Sequence, residues 1–266
     1  MMMSTMAARL LVALALIAVW APVVLRKHGG SPRNALLATL AIGLAWIAYR
    51  TWTRRHALRV IREHEFPAFL RDKLRAAHPH LGEAQARQVE RGLRQFFRAS
   101  ASAGGRFVAM PSKVVDTLWH EYILHTRGYE MFCRRAFGRM LHHTPAEAMA
   151  AGAARTTTQR AGLRRAWYWS CKEEGIDPHK PSRLPLLFAL DGTLAIAGGY
   201  VYAADCSLLG PNRDGTYCGT DFGCGSSCGS GDGGSGDGHG SGHGSSDGSG
   251  DGGGGDGGGG CGGGGD

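Results

Sequence analysis

Asp116 and His120 are the residues whose types and spacing most directly suggest chemistry. Four positions apart, they share one face of a helix, where the carboxylate can orient the imidazole. His142-His143 follow just past the next helical pattern. An antiparallel return would bring one of that pair back to His120, so Asp116, His120 and His143 make a candidate metal set. The rival reading is structural: His120 in a buried hydrogen bond and the histidine pair at a helix end. A zincin pattern is absent, because His120-Glu121 is followed by His125, five positions on and turned off the face of His120. Cys133 with His120 as base would be a nucleophile pair. However, Cys133 lies between Phe132 and Phe137 on an apolar face, where a small core residue is expected. Cys171 is read the same way. Cys224-x-x-x-Cys228, with His239 and His243 near in sequence, has metal-like spacing but no second close cysteine pair and only glycine for a scaffold. These spacings assign no catalytic residue, and no Rossmann or P-loop fingerprint names a cofactor.

The elements that must position these residues are helices. Pro111-Ser112 is a helix start, and Val115, Leu118, Trp119, Tyr122, Ile123 and Thr126 give one continuous, largely apolar face. Gly128 is expected to interrupt it. Tyr129, Phe132, Cys133, Ala136, Phe137 and Met140 then repeat the pattern on a second helix. Upstream, residues 56–77 read as helix restarted at Pro67, and residues 78–82 as a turn. Ala86, Val89, Leu93, Phe96 and Phe97 mark an amphipathic helix ending near Ser100, before a small-residue loop over 101–106. Downstream, Thr144-Pro145-Ala146-Glu147 is a capping box. Leu163, Ala166, Trp167, Ser170 and Cys171 define a further helix stopped by Gly175. Pro178, Pro181 and Pro185 then bias the path towards extended structure. Residues 186–190 and 193–197 are expected to pair as a small hairpin across Asp191-Gly192.

The central block also carries a resemblance. Asp116-x-x-Trp119-His120, Ile123-Leu124-x-Thr126-x-x-Tyr129-x-x-Phe132-Cys133, Gly138 and Leu141-His142-His143-x-Pro145 together resemble the glycine-rich domain-containing protein family of bacteria and plants. The likeness extends through Leu184-Pro185-Leu186 to the tail, covering the chain after about Arg55. Where some relatives carry a second histidine two positions after the first, this chain has Tyr122, a departure from any two-histidine site on that helix. The resemblance implies a family and a fold, not an activity.

At 266 residues the chain has room for one domain of ordinary size with appendages. Three zones are expected: a transmembrane hairpin over 1–55, a helical soluble domain over 56–205 and a disordered Gly/Ser/Asp-rich tail over 206–266. Two apolar runs, 10–25 and 35–49, have aromatic residues near their ends, as membrane-spanning helices do. Arg26, Lys27 and Arg33 lie between them; Arg50, Arg54, Arg55, Arg59 and Arg62 follow the second. This excess leans towards a cytoplasmic domain, where disulfides are not expected. Of 30 basic and 22 acidic residues, the tail holds one Arg and eight Asp, leaving 29 and 14 elsewhere. A body of +15 and a tail of −7 thus sit behind the net +8. Gly105-Arg106-Phe107-Val108 is only a fragment of an aromatic RNA-binding strand, and no RGG repeat occurs in the acidic tail, so nucleic acid is not an expected partner. The fold class is mostly α. The expected function is a membrane-anchored interaction or scaffold module with an unknown protein partner. The alternative is a metal-binding protein or metal-dependent enzyme using the Asp116/His120 face.

Overall fold

Apolar side chains recurring three and four apart make most of the ordered chain helical. The computed structural model describes residues 5–24, 32–143, 153–205, 216–219 and 222, all within one unit running from Met1 to Cys228. The described helices are α1 (Thr5–Val24), α2 (Pro32–Glu63), α3 (Phe69–Ala77), α4 (Glu83–Ser102), α5 (Lys113–Leu124), α6 (Thr126–Phe137), α7 (Ala153–Glu173) and α8 (Leu186–Thr193). Two short strands, β1 (Val201–Ala203) and β2 (Thr216–Cys218), pair in parallel with Tyr202 opposite Tyr217.

α2 is long and apolar enough to cross a membrane; Leu10–Ala21 in α1 is a shorter apolar stretch. The two helices pack together, and Trp20 Nε1 donates to Thr39 Oγ1 at 3.0 Å. Leu10, Leu14, Ile17, Leu36, Leu40, Leu44 and Ile47 are each more than half exposed, an apolar surface that water does not favour. α2 then continues unbroken into the domain, where Ala57 and Ile61 are buried. Arg94 finishes it: Nη1 donates to the carbonyls of Ile61, Arg62 and His64 at 2.6, 2.9 and 2.7 Å. One guanidinium thereby serves orphan carbonyls that a helix end leaves open.

α4 is the centre of the core. It packs against α2, α3, α5, α7 and α8, and its periodic Ala86, Val89, Leu93, Phe96 and Phe97 are almost wholly buried. Gly92 is where α8 comes closest, since a Cβ there would stand 2.4 Å from Leu190 Cδ1. Gln95 on α4 and Glu174, in the turn just past α7, accept from the Leu187 and Leu186 amides at 2.8 and 2.6 Å.

Those two caps explain a correction. Residues 186–193 are a helix, not the first arm of a hairpin, because the free amides behind Pro185 find acceptors on α4 and in the turn after α7. Asp191 is not a turn residue either. Its buried carboxylate accepts from Ser112 Oγ and from the amides of Lys113, Val114 and Tyr200 at 2.7, 2.7, 3.1 and 2.9 Å. It therefore caps α5 from far along the chain, alongside Ser112, whose hydroxyl accepts from Val115 N at 3.3 Å. A second correction concerns the break after α5, which falls at His125 (φ −78°, ψ 60°) and not at Gly128. Gly128 lies within α6, where a Cβ would stand 2.3 Å from the His125 ring.

The expected starts at Ser112 and Pro67 and the stop at Gly175 (φ 68°) agree with the observed helices. The Thr144–Glu147 capping box, Cys224, Cys228, His239 and His243 lie outside the described residues. Ordered chain extends past 205, since β2 pairs with β1 and Phe222 packs near Trp167, Phe188 and Tyr202. The remainder of the tail is likewise outside the described residues.

Candidate metal centre

Asp116 stands one turn into α5 and His120 one turn later, so both leave the helix on the same side. The next turn of sequence holds the domain: Leu118, Trp119 and Tyr122 are buried, which leaves Asp116 and His120 at the edge of the core. His143 reaches them by a different route. α6 ends at Gly138, whose φ of 69° takes the chain back along α5. Trp119 Nε1 donates to Tyr129 OH at 3.1 Å, and Tyr129 OH donates to Leu141 O at 2.5 Å. This pins the returning strand two residues before His143.

The outcome is a three-residue cluster. One potential ligand atom from each of Asp116, His120 and His143 lies within 4.8 Å of the others. Asp116 Oδ1 is 3.0 Å from His143 Nε2, and Asp116 Oδ2 is 3.6 Å from His120 Nδ1, beyond a good hydrogen bond. The two imidazole rings meet edge to face at 4.3 Å, with the Trp119 ring 4.8 Å behind His143. His143 is the sheltered member, its side chain 15% exposed against 51% for His120. One carboxylate and two imidazoles are a donor set suited to a borderline divalent ion, with one side left open to water.

The neighbouring candidates point elsewhere. His142 is exposed and outside the cluster. His125 turns edge-on to Phe69 at 5.2 Å, and Glu121 meets Lys73 at 3.1 Å, towards α3. Cys133 is fully buried, and burial pushes its thiol up. Cys171 is also buried and pushed up to about 12. Neither is poised as a nucleophile. Cys218 is disulfide-bonded, whereas a cytoplasmic domain is not expected to hold disulfides.

A second polar group lies behind the cluster, on the inner side of α5. Tyr122 OH and His64 Nε2 are 2.8 Å apart. Burial first, and the charges of Arg94 and Arg135 next, hold the His64 imidazole down to about 4. At neutral pH it is uncharged, and the tyrosine donates to it. Burial also raises Tyr122 and Tyr129 well above the usual phenol range, so both hydroxyls keep their protons.

The family model described as UCP032817-like matches residues 56–222, well over half of the chain. The chain belongs to the UCP032817-like family. The matched span opens within α2 and closes at Phe222, so the UCP032817-like region contains α3 to α8, both strands and the whole Asp116–His120–His143 cluster. It begins where the glycine-rich resemblance was expected to begin, but it carries the UCP032817-like description and not the glycine-rich one. No curated protein and no solved structure matches the chain.

The sequence pattern missed two parts of this site. Tyr129 looked like one more core aromatic, since nothing local joins it to Trp119 across the break at His125. Asp191 looked like a turn residue, since its partners at the start of α5 lie 77 to 79 residues away.

Proposed function

We propose that this chain is a membrane-anchored metal-binding domain in which Asp116, His120 and His143 hold a divalent ion. The observation that carries the reading is the convergence of three ligand types from two separate segments within 4.8 Å. Ligands about 2.0–2.1 Å from a tetrahedral ion stand roughly 3.4 Å apart. The carboxylate-to-imidazole distances of 3.0 and 3.6 Å bracket that value. Three protein ligands leave a position for water, which a zinc-like ion would acidify and make available as a nucleophile. The anchor is α2, with α1 beside it as the second arm of a membrane hairpin. The arginines that follow Tyr49 favour a cytoplasmic domain.

The interaction-module reading has one observation of its own. Phe69 and Leu124, at the α3–α5 corner, are 37% and 71% exposed, an apolar spot suited to a protein partner. It involves neither histidine of the cluster, so both roles are compatible in one molecule.

Elemental analysis of the full chain, purified in detergent without chelator, tests the metal reading. One equivalent of a transition metal is expected, lost in Asp116→Ala and in His143→Ala while near-UV circular dichroism is kept. A wild-type chain that takes up only traces of zinc, iron or manganese when each is supplied would end the proposal.

A further inference from the structure

The turn after α4 gathers arginines from four parts of the chain. Arg106 Nε donates to Ala103 O at 3.2 Å, Arg139 Nη2 to Gly105 O at 3.4 Å and Arg165 Nη1 to Phe107 O at 2.6 Å. From α2, Arg54 Nη2 lies 3.4 Å from Ser102 Oγ, and Arg50 Nη2 stands 3.1 Å from where a Cβ on Gly104 would be. All are exposed except the half-buried Arg165. Among the described residues none of the five is in a salt bridge. Arg106, Arg139 and Arg165 donate to carbonyls just past the end of α4 and Arg54 to the Ser102 hydroxyl, all uncharged acceptors, and a helix C-terminus supplies only about half a negative charge. Five guanidinium groups therefore share a positive charge that the fold leaves unbalanced. Burial chiefly, and then the nearby charge of Arg106, lower Arg165 from its usual value.

The cluster sits where the apolar part of α2 ends. Arg50 follows Tyr49 directly, and Trp46, Tyr49, Trp52 and His56 run along the helix with ring centres 5.9 to 6.5 Å apart. Trp52 is 59% exposed. Aromatic side chains of this kind favour the headgroup layer. From Ala35 to Tyr49 the helix rises roughly 22 Å at 1.5 Å per residue, short of the roughly 30 Å of a hydrocarbon core. A span that short draws the arginines after it down to the headgroups.

We propose that Arg50, Arg54, Arg106, Arg139 and Arg165 form a binding site for the phosphate groups of anionic phospholipid, where α2 leaves the bilayer. Guanidinium groups bind phosphate through paired N–H donors, and several from different elements can surround one headgroup. The proposal rests on α2 as a membrane anchor. That reading has its own test, because a true anchor stays in the membrane fraction after alkaline extraction whatever the lipid preference.

The full chain in neutral detergent is titrated with short-chain phosphatidylglycerol, phosphatidylcholine or inorganic phosphate. Tryptophan fluorescence is the readout, since Arg54 lies 4.6 Å over the Trp169 ring. Saturable binding is expected for phosphatidylglycerol alone. It should weaken about fivefold for each arginine replaced in Arg54→Gln and Arg139→Gln, and additively in the double variant. Arg54→Lys and Arg139→Lys should retain most of it, which separates charge from misfolding. Equal binding of phosphatidylcholine, or wild-type binding by the double variant, overturns the proposal. Displacement of phosphatidylglycerol by an equal concentration of inorganic phosphate would overturn it in favour of a free anion. Neutralising Asp232, Asp237, Asp247 and Asp251 to Asn should leave binding unchanged. A tenfold gain would make the acidic tail the occupant instead.

Discussion

Tyr129 joins the core to the candidate metal centre through one hydroxyl. It accepts from Trp119 on α5 and donates to the Leu141 carbonyl beyond α6. Removing that oxygen in Tyr129→Phe should loosen the segment carrying His143. Metal affinity is then expected to fall about 10- to 100-fold, as when an outer-shell partner is lost, with a stability cost of about 1–3 kcal/mol. Metal titration beside thermal melts checks this; an unchanged metal affinity would make the hydroxyl purely structural. His64 gives a pH prediction. Its folded value of about 4 lies below the ordinary 6.5, so the stability it contributes is complete above pH 6.5 and is lost as pH falls towards 4. The half-buried setting makes this on the order of 2 kcal/mol. Glu173 acts oppositely: burial raises it to about 7, so its contribution is present below pH 4.5 and is lost as pH rises through 7. Melts at pH 7 and pH 4.5 should therefore show His64→Gln losing less on acidification than wild type, whatever the sign of the total. Asp116 and His120 were legible in the sequence because four-residue spacing fixes a shared helix face. The choice of His143 over His142 was not, because it depends on the αL residue at Gly138 and on the Leu141 carbonyl.

At the scale of elements, periodicity revealed helices whose apolar faces meet the core, and it failed where a helix depends on distant caps. α8 is short and preceded by prolines, so its pattern resembles a strand. Gln95, Glu174 and Pro185 make it helical, and the first two lie 92 and 12 residues from the amides they cap. The break between α5 and α6 was misplaced for a related reason. Gly128 is a glycine because the His125 ring occupies the space of a side chain, and not because the backbone must turn there. Gly162 is a sharper case of the same kind. A Cβ there would lie 2.7 Å from Phe107 Cε1 and 2.9 Å from the Ala109 backbone nitrogen, and the backbone cannot swing aside. Gly162→Ala should therefore destabilise the domain by about 1–3 kcal/mol, despite the better helix propensity of alanine. Chemical denaturation of the detergent-solubilised chain checks the sign. A more stable variant would mean that α7 is not seated against residues 107–109.

For the whole molecule, the side on which the proposed anchor places the domain can be read chemically. The arginines after Tyr49 favour a cytoplasmic domain, whereas the disulfide at Cys218 belongs to an oxidising compartment. If the domain faces the cytoplasm, rapid alkylation of intact cells should trap Cys218 as a free thiol, and a reporter active only outside the cytoplasm should be silent when fused after Arg62. A trapped disulfide together with an active reporter would turn the domain to the other face. The division into apolar, mixed and Gly-rich zones was plain from composition. The unbroken passage of α2 from one zone into the next was not, because composition changes at residue 50 while helical propensity does not.

The reach of Asp191 back to α5 sets an order of events during synthesis. The amides of Lys113 and Val114 wait for a carboxylate 77 or 78 residues downstream. At about 5–20 residues per second, translation takes roughly 4 to 15 seconds to supply it. Through that interval α5 has only the Ser112 hydroxyl as its cap, with the Lys113 and Val114 amides left to water and the apolar start of the chain long since synthesised. The cap at the start of α5, one turn before Asp116, is therefore completed long after α1 and α2 have been synthesised.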